Sequence, residues 1–141
     1  MYLDAAYVVK HYLNEPESGA IRLLVRRAGL VASSALALAE VQCVFHRKVR
    51  EGSLTADMAA ALCRAFLAHV DEGFWTLVPV RESLLRRAGA IVLASPPSLF
   101  LRSGDAVHLT SANELGEKEV WTNDRHMLAA APQFGLIGRR V

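Results

Sequence analysis

Four acidic residues, Asp4, Glu40, Asp105 and Asp124, stand at related places along a chain of 141 residues. Asp4 ends the short apolar run Tyr2-Leu3, and Asp124 follows a second run, Val120-Trp121-Thr122. Asp105 falls in the first turn of a helical pattern, and Glu40 lies about a turn and a half into the helix after a third run, Leu30 to Ala32. If those runs pair as a parallel sheet, all four carboxylates lie near its carboxyl edge, where ligands bind at the point of reversal in strand order. At about 100° per residue, Glu40 falls on the flank of its helix's apolar face and reaches inward over a strand end.

Carboxylates gathered in one crevice repel each other unless they are protonated or bridged by cations. A donor set of oxygen alone, with no His or Cys, suits Mg2+ or Mn2+ rather than zinc, and such a sparse site completes its shell with water and substrate phosphate. Phosphodiester hydrolysis by metal-activated water is the chemistry that follows. Each residue taken singly has a plainer reading: Asp4 and Asp124 as helix N-caps, Asp105 as a first-turn carboxylate favoured by the macrodipole, Glu40 as a solvated helix position. The ordered set of four is what argues for a metal.

The elements that must position these residues alternate throughout. Short β-rich runs cover Met1–Asp4, Leu30–Ala32, Phe74–Val80, Glu119–Thr122 and Leu136–Gly138. Between them lie helical patterns: Ala5–Leu13; a second ended by Gly29; a long helix capped by Ser33 or Ser34 and running to about Arg50; one capped by Thr55; Glu82–Ala94; Ser103–Leu115; and Asp124–Ala131, broken by Pro132. Strands alternating with helices predict an α/β fold of three layers, α/β/α, around a parallel sheet of about five strands joined by right-handed crossovers. No repeat, linker or low-complexity stretch interrupts residues 1–141, which are expected to form one domain.

Composition sets the class. Hydrophobic residues make up 52% and charged residues 21%, which excludes a disordered chain and fits central strands covered on both faces. The apolar surplus also suits a subunit interface. Asp4, Lys10, His11 and Glu15 break any secretory pattern, and Gly29–Ala39, interrupted by Ser33 and Ser34, is well short of the roughly 20 residues of a membrane span. A soluble, cytoplasmic protein with no membrane partner is expected. Cys43 and Cys63 have neither a pairing framework nor C-x-x-C spacing and are expected as free, buried thiols. The chain has 16 Lys and Arg against 14 Asp and Glu; with the four carboxylates set aside the balance is 16 against 10, a basic surround that suits a polyanion.

Four segments resemble the motifs of PIN domains. They are Tyr2-Leu3-Asp4-Ala5-Ala6-Tyr7-Val8-Val9-Lys10, Ser33-Ser34-Ala35-Leu36-Ala37-Leu38-Ala39-Glu40-Val41, Leu101-Arg102-Ser103-Gly104-Asp105-Ala106-Val107-His108-Leu109 and Trp121-Thr122-Asn123-Asp124-Arg125, in the family's order and spacing across the whole chain. The resemblance implies a five-stranded parallel sheet, dependence on Mg2+ or Mn2+, and RNA cleavage leaving 3′-hydroxyl and 5′-phosphate ends. For a PIN domain of this length it further implies a VapC-type toxin, held by a cognate antitoxin and often a homodimer. It carries over Asp4, Glu40, Asp105 and Asp124 as metal ligands and catalytic residues, and Thr122 as an accessory hydroxyl. The chain departs from the family at Ala5 and Ala6, where hydroxyl residues commonly follow the first Asp.

Rival readings remain open here. An aspartyl-phosphate phosphohydrolase also places an Asp after its first strand but wants a second Asp two residues on, where this chain has Ala6. A catalytically silent PIN-like module that binds RNA or protein is the alternative that Ala5 and Ala6 favour. The 5 histidines are too scattered for a metal-free ribonuclease; His108 is expected buried against a neighbouring helix, and Trp75 and Trp121 in the core.

Overall fold

Side chains alternate across each strand, so a central sheet must bury two faces and needs helices on both. The computed structural model describes residues 1–141. In chain order the elements are β1 (Tyr2–Leu3), α1 (Ala5–Tyr12), α2 (Ser18–Arg27), β2 (Val31–Ser34), α3 (Ala37–Arg50), α4 (Ala56–Asp71), β3 (Trp75–Val78), α5 (Glu82–Ala94), α6 (Ser103–Glu114), β4 (Glu119–Trp121), α7 (Arg125–Ala130), a 3-10 turn (Ala131–Phe134) and β5 (Ile137–Arg139). All pairings are parallel, and the 5 strands lie in the order β3-β2-β1-β4-β5. The chain steps outward from β1 to β3, then returns to the other side of β1 for β4 and β5. The reversal therefore lies between β1 and β4, which pair Tyr2 with Val120 and Leu3 with Trp121.

The two cores follow the pleat. Leu3, Val31 and Trp75 face α1 to α4, where Val8, Ile21, Val41, Phe45 and Phe66 are buried. Tyr2, Ala32, Val78 and Val120 face α5 to α7, with Leu84, Leu109 and Met127. Trp75 is core as expected, and its indole N–H donates to the Tyr12 hydroxyl at 2.7 Å. Trp121 is partly buried against the α1–α4 core. Helix α6 is buried along Asp105–Ala112 without an outward polar stripe, the pattern of a helix enclosed by its neighbours.

Three expectations need correction. Ser33 and Ser34 do not cap α3: they extend β2, pairing with Leu77 and Val78, and are fully buried. The sheet takes them because their hydroxyls are satisfied inside it, Ser33 Oγ donating to the Leu3 carbonyl at 2.9 Å and Ser34 Oγ accepting from Leu36 N at 3.2 Å. Strand β3 stops at Val78, since Pro79 has no N–H to extend the ladder. Cys43 is exposed and Cys63 half-buried, both free: Cys43 lies on the outward side of α3, away from buried Val41 and Phe45.

Candidate active site

Helices that follow strands directly start at the sheet's carboxyl edge, and their N-caps start there too. Asp4 caps α1, its Oδ1 accepting from Tyr7 N at 2.8 Å. Asp124 caps α7, its Oδ1 accepting from His126 N at 2.7 Å and Met127 N at 3.3 Å. Asp105 sits in the first turn of α6 and accepts from the Arg102 backbone N–H at 3.2 Å. The capping reading and the site reading thus hold for the same side chains. A cap of this kind spends one carboxylate oxygen on the helix and leaves the other for the crevice.

Those second oxygens are linked. Thr122 Oγ1 donates to Asp4 Oδ2 and accepts from Asp124 N at 2.9 Å, tying the ends of β1 and β4 together across the point of reversal. Arg102 bridges the other pair: its Nε donates to Asp105 Oδ2 at 2.9 Å, and its Nη2 to Asp105 Oδ1 at 3.1 Å and Asp124 Oδ2 at 2.6 Å. Glu40 stands apart on α3, where its Oε2 meets His108 Nε2 at 2.7 Å. His108 is buried, and its Nδ1 lies 2.9 Å from the Tyr2 hydroxyl. With Glu40 ionised, the neutral tautomer carries its proton on Nε2 and Nδ1 accepts from Tyr2. One turn away, Gly104 leaves room for Glu40: a Cβ there would lie 3.3 Å from Oε1.

Electrostatics differ sharply among these groups. Asp4 is 4% exposed and has no cationic side chain paired with it. Burial pushes its carboxyl above the ordinary value, opposed by the Thr122 hydroxyl and the Tyr7 amide. At Asp124 burial also acts upward, but the His126 and Met127 amides together with Arg102 outweigh it and hold the carboxyl below the ordinary value. The Arg102 guanidinium is raised by its hydrogen bonds to and the charge of Asp105, then by Asp124. Mutual repulsion of the carboxylates is thus relieved in part from within the chain.

The arrangement is open. No group of three or more His, Cys, Asp or Glu side chains lies close enough together to hold an ion by itself. The donor chemistry nonetheless fits a hard divalent cation: the oxygens come from Asp, Glu and a hydroxyl, and the most buried carboxylate, Asp4, is the one without a counter-charge. A site of this type takes part of its shell from water and substrate. Asp4, Asp124 and Thr122 are brought directly together, Asp105 joins them through Arg102, and Glu40 joins through His108 against α6. Sequence reasoning missed Arg102 and Tyr2 as members. The signal for Arg102 was present in its spacing, since a cation three residues before a first-turn Asp faces that Asp across the helix start.

Comparison with known proteins places the fold and the family. The family model for the PIN domain matches residues 1–132. Ribonuclease VapC46 of Mycobacterium tuberculosis is 34% identical over 138 residues, covering 96% of this chain and 93% of that protein. Among solved structures, Mycobacterium tuberculosis VapC20, a sarcin–ricin loop cleaving toxin, matches with a TM-score of 0.70 at 17% identity over 92% of this chain and 93% of that one. VapBC2 of Rickettsia felis, bound to a DNA fragment from their promoter, matches with a TM-score of 0.68 at 15% identity over 99% and 97%. Those two likenesses establish the fold, and the identity to VapC46 with the match over most of the chain establishes the lineage. The chain belongs to the PIN-domain family and, within it, to the VapC-type ribonucleases.

Proposed function

We propose that this chain, as one domain over residues 1–141, is a metal-dependent endoribonuclease and the toxin of a type II toxin–antitoxin pair. Asp4, Glu40, Asp105 and Asp124 hold Mg2+ or Mn2+ in this reading, and Thr122 is accessory. The observation that carries it is the buried Asp4 carboxylate, without a cationic partner, joined through Thr122 to Asp124 at the reversal of the sheet. The relative named as a ribonuclease supports the RNA substrate, and the VapBC structure supports a cognate antitoxin as partner. A homodimer acting in the cytoplasm completes the proposal, consistent with the absence of any helix long and apolar enough to cross a membrane.

When bound, a divalent ion supplies the acidity that makes water nucleophilic near neutral pH and the positive charge that offsets a phosphate. The chain's own residues do the rest. Thr122 fixes Asp4 by donating to its Oδ2, so that carboxylate does not swing. His108, held by Tyr2, fixes Glu40 over Gly104. Arg102, exposed along much of its side chain, keeps Asp105 and Asp124 in place and presents a cation to an entering phosphate.

Cleavage of a single-stranded RNA with and without Mg2+ tests this reading. Wild type should cut only with the ion, and Asp4→Asn and Asp105→Asn should each keep less than about a tenth of the activity, since a lost ligand removes several kcal/mol of transition-state stabilisation. A silent binding module is the second reading, favoured by Ala5, Ala6 and the internal cation Arg102. Such a module shows no carboxylate-dependent Mn2+ binding, which a titration of wild type against Asp4→Asn decides.

A further inference from the structure

An aromatic pair, one ring exposed and the other half-buried, stands at the rim of the carboxylate crevice. Phe100 is 57% exposed and belongs to neither core. Its ring lies 4.6 Å from that of His126, tilted by 52°. Both rings are tied to the site through the backbone. His126 N donates to Asp124 Oδ1 at 2.7 Å, and Phe100 precedes by two residues Arg102, whose Nη2 reaches Asp124 Oδ2 at 2.6 Å. Pro96 and Pro97 restrict the loop that delivers Phe100, so presenting the ring costs less conformational freedom than an ordinary loop would.

A solvent-facing Phe forfeits burial that a core position would give it. What it gains here is a neighbour set: one exposed ring, a second ring against it, and a cation in contact with that second ring. Arg125 Nε donates to His126 Nε2 at 3.3 Å, and Arg102, two residues after Phe100, is held at the Asp124 carboxylate that caps the helix of His126. Leu99 and Leu101, which flank Phe100, are half-buried, so within this loop the exposed apolar surface is a single ring. A flat, uncharged ligand flanked by negative charges matches it, and an unpaired nucleobase between two phosphates has that form.

We propose that Phe100 and His126 form a stacking platform for an unpaired base of the RNA substrate next to the phosphate that is cut, making them specificity-determining residues. The inference rests on the ribonuclease reading above and extends it to the substrate: single-stranded or looped RNA, with a base stacked at a fixed step from the cut. Arg102 and Arg125 accompany the phosphates on either side of that base. A rigid duplex, whose bases are already stacked, has no base to offer the platform.

The test is an abasic scan. A single-stranded RNA oligonucleotide with a defined cut site is prepared intact and with one abasic position at each step around the cut, then presented with Mg2+ to wild type, Phe100→Ala, Phe100→Trp and His126→Ala. Binding and cleavage are both measured. Phe100→Ala should raise KM about tenfold with little change in kcat, the effect of losing one base–aromatic stack. At one position, removing the base should cost wild type about tenfold and Phe100→Ala almost nothing, because base and ring report the same interaction. Phe100→Trp should restore the wild-type pattern, His126→Ala should weaken it, and Mn2+ affinity and melting temperature should stay unchanged in Phe100→Ala. Equal abasic penalties in wild type and Phe100→Ala at every position overturn the platform and leave the ribonuclease reading standing, with the ring then free for a protein partner. A Phe100-dependent abasic penalty in binding, with no Mg2+-dependent cutting by wild type, overturns the ribonuclease reading and keeps the platform. Loss of Mn2+ affinity or of stability in Phe100→Ala makes the ring structural and also overturns it.

Discussion

Asp4 and Asp124 share the Thr122 hydroxyl, yet their charges act on the fold in opposite directions. Burial raises the Asp4 carboxyl, so the folded state resists its ionisation and loses stability as pH rises past the ordinary carboxylate range. Asp124 has a depressed carboxyl, so its charge stabilises the fold above that range and the benefit is lost as pH falls through the folded value. Without metal, Asp4→Asn should therefore raise the melting temperature by roughly 3 °C, about 1 kcal/mol for a domain of this size, and Asp124→Asn should lower it by no more than about 1 kcal/mol because Arg102 is largely solvated. A calorimetric scan in EDTA reads both, and a fall for Asp4→Asn would contradict the burial argument. In activity all four carboxylate substitutions act in one direction, Glu40→Gln and Asp124→Asn with a smaller size than Asp4→Asn and Asp105→Asn. His108→Ala removes a partner from both Glu40 and the buried Tyr2 hydroxyl, and should cost about 1–3 kcal/mol in urea unfolding. The four carboxylates were legible in the sequence because their residue type and their place after strands carry the information. Their partners were not: His108 meets residues 68 and 106 positions away, pairings that only the packed sheet creates.

Among the elements, α7 has the narrowest tolerance. It is a short helix whose N-cap is Asp124, and it lies directly on β5: a Cβ at Gly138 would come within 2.8 Å of Leu128 Cδ2 and 3.0 Å of its Cα. The backbone contact cannot be relieved by a rotamer change, so Gly138→Ala should push α7 off the sheet, with a destabilisation of about 1–3 kcal/mol. Because α7 carries Asp124, the same substitution should lower cleavage, although residue 138 lies outside the crevice. Chemical denaturation and a cleavage assay on one preparation check the pair of effects, and wild-type behaviour in both would show that β5 and α7 separate freely. The alternation of strand and helix was readable from composition and turn residues. The boundary at Ser33-Ser34 was not, because serine is a favoured N-cap by propensity, whereas here the hydroxyls find partners inside the sheet and the strand runs through them. Strand order was equally hidden, since it depends on which side of β1 the chain returns to.

At the scale of the molecule, the sheet's reversal between β1 and β4 gathers three N-terminal helix turns and their carboxylates on one edge, while a separate aromatic cluster lies under α1 and α4. In that cluster His11 packs among Tyr12, His69, Phe74 and Trp75, with its Nδ1 buried and without a partner. Burial first, then the charges of His69, Arg22 and Arg26, push its pKa down from 6.5 to about 4. The unfolded chain takes up a proton at His11 before the folded one does, so stability should fall as pH drops from about 6.5 towards 4. Urea unfolding at pH 7.5 and 5 should show a smaller difference for His11→Phe than for wild type, and an unchanged difference would place the acid sensitivity elsewhere. The central claim concerns chemistry, and the ends of the RNA products test it most directly. Digestion of a looped RNA with Mg2+, followed by analysis of both termini and repeated in excess EDTA and with a 2′-deoxy nucleotide at the cut, distinguishes attack by water from attack by the substrate's own 2′-hydroxyl. The account predicts 3′-hydroxyl and 5′-phosphate ends, no cutting in EDTA, and continued, weaker cutting of the 2′-deoxy substrate. Products ending in 2′,3′-cyclic phosphate, or full activity in EDTA, would contradict it.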